Sequence, residues 1–407
     1  MGIFSQAPGV SVNTTWTHTD FLSSHYYPVI AFLDGENPHD RDRFLALYPA
    51  NDPYGPFLPI NLLIHLPFAL FPPMTAGRVY FAFTVLLMLP LSYLVLRLAE
   101  LDVNRNRVMA IAGIALLTRP GHWTLLLGQG SVLLTLASYL ALLYARRAPI
   151  GSGLALTVSV LKPTFGLPLG MLMLARRHIR AVAIGVMLSL AINLPLYAAL
   201  AAREGGVGRF VEVTSTGLRA AYESVNTNPA TSPHRLDPTA LLSRALGRPL
   251  SSVSQLALAG GMLVLAVIAL SRLARVPGRR SDDLSIAIIC LSIALFASHL
   301  GYDLLILAAP LAIVVSRGLP EPASALARWV FLGLYAVPGL NWLATDTVLA
   351  AWQPSPAVWL LVVSVNGFCV LALFLGYLGL AWRGTDTLSS VRSTGGAAIP
   401  PLSRERH

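Results

Sequence analysis

Residues 156–170 read LTVSVLKPTFGLPLG, a single lysine between two apolar runs, with a proline directly after the charge. The runs extend over 150–161 and 164–175, and both close on arginine: Arg146 and Arg147 precede the first, while Arg176, Arg177 and Arg180 follow the second. Two apolar segments turning on Lys162 between basic ends describe a helical hairpin in a membrane, its arginines inside and its tip outside. A dozen residues at 1.5 Å each reach roughly 18 Å, against a hydrocarbon core near 30 Å. The tip must therefore continue as polar chain inside a protected cavity, because charge and irregular backbone at that depth persist only where protein or water surrounds them.

The same alternation continues outward in both directions. Residues 78–98 run inward to Arg97, Arg105 and Arg107, 108–119 run outward to Arg119-Pro120-Gly121, and 129–145 return to Arg146. After the hairpin, 181–201 cross outward, 254–272 return, 284–299 go out to His299-Leu-Gly-Tyr-Asp303, and 304–316 come back to Arg317. Residues 325–344 cross outward and 357–381 inward. The expectation is an all-α, polytopic membrane protein of about eleven transmembrane helices, forming one domain over 1–383. Its first extracytoplasmic loop covers 1–56, a long extracytoplasmic loop covers 202–252, and 384–407 form a cytoplasmic, disordered tail. Eleven crossings leave a polar N-terminal stretch outside with no preceding apolar segment, so a first transmembrane helix, encoded upstream of this start, is expected to be missing.

Composition agrees: 55% of the residues are hydrophobic and only 12% charged, where soluble domains run to roughly a quarter charged. The formal charge of +10 gathers in the short breaks between apolar segments, which marks topology and speaks against a nucleic-acid-binding face. Cys290 and Cys369 lie in apolar segments and imply no disulfide framework. Residues 20–33 are too polar to span and suit a surface helix, and 57–71, with two internal prolines and a histidine, read as juxtamembrane or re-entrant.

Several polar residues sit where a helix stops being apolar on the outer side: Asp20, Arg119, Gln129, Lys162, His299, Tyr302 and Asp303. An ionisable group at membrane depth costs roughly 2.5 kcal/mol or more, so it needs a partner or a purpose. Lys162 is open to a structural pairing with a carboxylate such as Asp303, to holding a phosphate-bearing ligand, or to snorkelling. Asp303 can simply cap the helix that follows, and His299 can be a satisfied core histidine as readily as a ligand. Gln129, in LLLGQGSVLL, suits hydrogen bonding between helices, and its flanking glycines permit close approach of a ligand. Asp20 lies among Trp16, Thr17, His18, Thr19, Phe21, Tyr26 and Tyr27, a setting suited to sugars, though Thr19-Asp20 is equally a helix start. Phosphate-binding loops, zinc motifs and hydrolase elbows are missing from the sequence, and neither His18 with Asp20 nor Asp40 with Asp42 makes a persuasive metal pair. No metal and no cofactor is expected.

In their order, these residues resemble the polyprenyl-phosphate-sugar-dependent glycosyltransferases of the C-type superfamily, most closely glycosyltransferase family 87, which includes polyprenol-phosphate-mannose-dependent mannosyltransferases. The likeness is carried by D20-F-L-S-S-H-Y-Y-P-V-I-A-F-L-D-G35-E-N-P-H-D40, Y54-G-P-F-L-P, L127-G-Q129, K162-P163, R176-R177 and Y302-D303-L-L. It spans residues 18 to about 316. Two features depart from the family: His39 stands in place of a tyrosine in Asn-Pro-Tyr-Asp, and the first transmembrane helix is absent.

The resemblance implies the C-type glycosyltransferase fold and a metal-independent, inverting transfer of a sugar, mannose being the best-known case, from polyprenyl phosphate to a hydroxyl of a glycolipid or glycan acceptor in the cell envelope. The chain would be multi-pass in the cell membrane, with its site extracytoplasmic and its C-terminus cytoplasmic. Asp20 matches the family's catalytic aspartate. By position, Lys162, Arg119 and His299 would hold the donor phosphate. Gln129, Tyr302, Asp303, Tyr54 and Asn226 would contact sugar or acceptor, with the loop around Tyr222–Asn228 covering the site. The competing reading is a transporter or flippase of lipid-linked sugars, which also needs broken helices and midplane charges, but no internal repeat supports it.

Overall fold

The computed structural model describes residues 19–223, 227–276, 278–319 and 323–394. Every regular element among them is helical, apart from one isolated antiparallel bridge between Arg235 and Leu300. Thr19–Phe21 (α1) passes through a π-helical turn, Leu22–Tyr26, into Tyr27–Leu33 (α2), followed by Arg41–Leu47 (α3) and by Ile60–His65 (α4) with its 3-10 extension Leu66–Leu70. Next come Pro73–Leu98 (α5), Arg105–Leu117 (α6), Arg119–Leu127 (α7), Ser131–Tyr144 (α8), Pro149–Ser159 (α9), Pro163–Ala175 (α10) and Ile179–Arg203 (α11). Val207–Glu223 (α12) and Pro238–Ala245 (α13) precede Ser252–Leu273 (α14) and Arg279–Leu295 (α15). A 3-10 turn, Gly301–Leu307, leads into Ala308–Arg317 (α16), then Ala325–Leu340 (α17), Asp346–Trp352 (α18) and Pro356–Thr394 (α19).

Each of the eleven apolar segments falls on a helix. Four of these, α5, α11, α14 and residues 356–383 of α19, are long and apolar enough to cross a membrane by length and composition. Their outward faces carry Phe81, Leu86, Met187, Leu194, Leu256, Val264, Leu361 and Phe368, all exposed. Soluble monomers rarely expose contiguous apolar patches beyond a few hundred Å², so these faces suit lipid contact. α15 is the centre of the bundle: from Leu284 to Leu295 every residue except Ile286 is buried, as befits a helix apolar on most sides.

Prolines inside the bundle leave carbonyls without their usual donors, and side chains replace them. Pro310 has no N–H for the carbonyl of Ile306, so the Tyr139 hydroxyl donates to it at 2.7 Å and accepts from the Ala309 N–H at 2.9 Å. That bridge pins α8 to the junction where the 3-10 turn becomes α16. Likewise Pro168 cannot donate to Thr164, and the carbonyl of Thr164 instead faces His299 Nε2 at 3.2 Å.

Four details differ from the sequence reading. The helical stretch 19–33 is no surface helix, because Phe21, His25, Tyr26 and Tyr27 are buried beneath the first loop. Between α6 and α8 the chain adds α7, whose start is set by the Thr118 hydroxyl accepting from the Gly121 N–H. The stretch 202–252 contains two helices, α12 and α13. α19 continues to Thr394, into the stretch expected to be a tail, and residues 395–407 lie outside the described residues.

The bundle has two chemically distinct ends. α8 begins next to Gln129 and ends before Arg146, α10 begins after Lys162 and ends at Arg176, and α15 begins at Arg279 and ends shortly before His299. Each spans roughly 20 Å at the helical rise, so the residues suspected of chemistry gather at one end and the arginines at the other. At the arginine end Asp282 pairs with Arg176 at 2.5 Å and Arg146 at 3.5 Å, Glu100 with Arg279 at 3.0 Å and Arg317 at 3.2 Å, and Asp283 with Arg317.

Candidate active site

The turn Leu127-Gly128-Gln129-Gly130-Ser131 organises the polar end. Gly128 ends α7 in the left-handed region, φ 72°, which glycine adopts without the steric cost of a Cβ. The reversal leaves Gln129 and Ser131 reaching different partners: Gln129 Nε2 donates to the Asp20 carboxylate, and Ser131 Oγ donates to Asp303 Oδ1 at 2.8 Å. One turn of chain thus ties together two carboxylates 283 positions apart in sequence.

The two carboxylates sit in opposite surroundings. Asp303 is fully buried, and its Oδ2 accepts from Lys162 Nζ at 2.7 Å and lies 2.8 Å from His299 Nδ1, while the Leu300 N–H approaches at 3.4 Å. Burial alone would push this carboxyl up, but Lys162 and His299 outweigh it and hold it well below the ordinary range. Both ring nitrogens of His299 face oxygen atoms, the second being the carbonyl of Thr164. Lys162 and His299 thus share the Asp303 carboxylate. The backbone that presents it is strained, since Ala297, two residues before His299, has φ 57°, a conformation costing about 1 kcal/mol or more for a residue with a Cβ.

Asp20 is partly exposed and has no cation in contact. Burial pushes its carboxyl up from 3.8 to about 6, nearby Asp52 adds to the rise, and the Gln129 hydrogen bond and the more distant Lys162 oppose it. Two carboxyls driven apart in this way fall into different roles: Asp303 stays an anion throughout, while Asp20 exchanges protons close to neutrality.

Around this pair the other expected residues take graded places. Tyr302 is buried, its ring 5.4 Å from Lys162 Nζ and edge-on to Trp123 at 5.5 Å. Arg119 packs over Trp123, 4.9 Å away, and beside Gly301. Its guanidinium is buried and donates to the carbonyl of Ala344 at 2.8 Å. Tyr54 stands apart, packed 4.8 Å from His39 and accepting from Asn61 Nδ2 at 3.2 Å. His39 itself is buried, so at this position the departure from the family pattern affects packing. Asn226 lies outside the described residues, as does His18; of the expected cover, Thr227 and Asn228 are described, and the Thr227 carbonyl accepts from Arg235 at 2.8 Å.

Three residues escaped the sequence reading. Ser131 passes for an ordinary first residue of a helix. Thr164, at the start of α10, has a buried hydroxyl without a partner beside Lys162. His25 is fully buried, stacked on His65 at 4.1 Å, with Nδ1 3.0 Å from Asn61 Oδ1 and Nε2 unpartnered. It lies in the π turn Leu22–Tyr26, which α-helical periodicity does not anticipate.

Among known protein families, the model of glycosyltransferase family 87 matches residues 54–298, more than half of the chain. That match includes Tyr54, Arg119, Gln129, Lys162 and Asn226, whereas Asp20, His299, Tyr302 and Asp303 lie outside it. No curated protein and no solved structure matches the chain.

Proposed function

The chain belongs to glycosyltransferase family 87, and from that premise we propose that it is a multi-pass membrane enzyme transferring mannose from a polyprenyl-phosphate donor to an acceptor hydroxyl on the extracytoplasmic side. The observation that carries the reading is the contrast between Asp20, poised near neutrality, and the permanently ionised, cation-clamped Asp303, joined through one Gly-Gln-Gly turn. Asp20 takes the proton of the acceptor hydroxyl as its oxygen attacks the anomeric carbon. The bond from that carbon to the phosphate oxygen breaks on the opposite face, and polyprenyl phosphate departs with the bonding electrons, so configuration inverts. A phosphate is a good leaving group without protonation, so one base and no general acid suffices.

The leaving phosphate gathers negative charge, and the Lys162 ammonium, with His299 beside it as a hydrogen-bonding group, would receive it. The N-terminus of α10 adds a favourable dipole and the free Thr164 hydroxyl a donor. Gln129 holds the base in orientation, and Tyr302 offers its ring and hydroxyl to the sugar. Purified protein given a radiolabelled polyprenyl-phosphate mannose and an acceptor extract should transfer label, and Asp20→Asn should abolish the transfer. Equal transfer by the wild type and the variant refutes Asp20 as the base.

A further inference from the structure

The arginine end of the bundle, one helix length from Asp20 and Lys162, contains a cavity of about 560 Å³ that the glycosyl-transfer reading does not use. Its apolar lining comes from Leu98 at the end of α5, Leu101 beyond it, Leu142 and Leu143 of α8, and Ile286 and Ile289 of α15. Arg97, Arg146, Arg147 and Arg176 line it too, with Glu100, Asp282 and Asp283. The carboxylates are already engaged: Asp282 by Arg176 and Arg146, Asp283 by Arg317, and Glu100 by Arg279 and Arg317. Arg97 and Arg147, both exposed, make no ion pair among the described residues.

Two guanidiniums without ion pairs and several leucine and isoleucine side chains lining one cavity present both halves of a phospholipid's chemistry, a planar fork for phosphate oxygens and a wall for acyl chain. The cavity lies between helices, and its arginines are the ones whose clustering marks the cytoplasmic face. We propose that this cavity binds the headgroup of an anionic phospholipid of the inner leaflet, with Arg97 and Arg147 on its phosphate and the upper acyl chain along Leu142, Leu143 and Ile289. The lipid would join α5, α8 and α15 at the end opposite the reaction, so occupancy would stabilise the bundle.

The test uses the full chain in phosphatidylcholine nanodiscs with or without phosphatidylglycerol, read by melting temperature and by lipid retained in native mass spectrometry. Phosphatidylglycerol should raise the melting temperature of the wild type and be retained. In the Arg97→Gln/Arg147→Gln pair, retention should fall about fivefold per arginine, or ~25-fold together. Arg105→Gln/Arg275→Gln, exposed arginines of the same end that do not line the cavity, should behave as wild type. A wild type indifferent to phosphatidylglycerol, or equal loss in both pairs, overturns the site. Inorganic phosphate reproducing the wild-type shift in pure phosphatidylcholine overturns the lipid in favour of a free anion. Circular dichroism at low temperature separates loss of binding from loss of fold, and none of these outcomes depends on sugar transfer.

Discussion

Asp20 and Lys162 differ in what their neighbours permit, and each difference is measurable. The proposed base, Asp20, can take a proton only when ionised, and burial pushes its carboxyl up to about 6, so kcat/KM should fall with pH below about 6 and flatten above it. An acid limb near 4 instead would mean that burial does not govern the base. The stability sign runs the other way. The folded carboxyl holds its proton more tightly than the unfolded one, so this group's stabilising contribution is complete below 3.8 and is lost as pH rises through about 6. Asp20→Asn should therefore melt at or above the wild type at pH 7 and lose that advantage at pH 4, even though it is inactive. Lys162 behaves oppositely, because its partner Asp303 is fully buried. Lys162→Met leaves that carboxylate with His299, Ser131 and the Leu300 N–H, and a cost of about 3–5 kcal/mol is expected from chemical denaturation. Adding Asp303→Asn should restore most of the stability. If donor binding returned along with it, Lys162 would be structural only.

At the level of elements, the tip of the α9–α10 hairpin depends on one glycine. A Cβ on Gly166 would lie 2.4 Å from the Cα of Val160, and backbone cannot yield as a flexible side chain can. Gly166→Ala should push α10 from α9, cost about 1–3 kcal/mol by thermal melting, and weaken donor affinity by shifting Lys162. Unchanged donor affinity in a destabilised protein would separate the hairpin from the site. This hairpin was legible in the sequence because a lone charge between two apolar runs has to sit at a polar tip, and the eleven apolar segments were legible from the basic clusters that bound them. The elements that escaped are those whose signals are local and mixed. α7 opens with Arg-Pro-Gly, which reads as a turn. α12 is amphipathic inside a polar stretch, and the π turn at Leu22–Tyr26 departs from the α-helical period. The meeting of Lys162 with Asp303 followed from placing helix ends on one side. The division of labour between Asp303 and Asp20 did not, since it depends on how many donors each carboxylate collects, and Ser131 and His299 are brought to Asp303 only by packing.

For the whole molecule, the decisive asymmetry is one of charge. Arg97, Arg105, Arg107, Arg146, Arg147, Arg176, Arg279, Arg280 and Arg317 stand at the ends of α5, α8, α10 and α16 and at the starts of α6 and α15, while the far ends of α8, α10 and α15 meet Gln129, Lys162 and His299. Helices inserted under the positive-inside rule keep such clusters in the cytoplasm, and the proposed extracytoplasmic acceptor requires the Asp20 end to face the other way. Both native cysteines are buried, so single introduced thiols report sidedness against a low background. Arg248, exposed after α13, and Arg105, exposed at the start of α6, sample the two ends. In intact cells a membrane-impermeant maleimide should label Arg248→Cys at once and label Arg105→Cys only after permeabilisation. The reverse pattern would put Asp20 on the cytoplasmic side, where the proposed acceptor is absent, and would place the arginine cavity outside. Labelling of both in intact cells would put residues 105 and 248 on one side, which requires that an odd number of the five segments between them fails to cross.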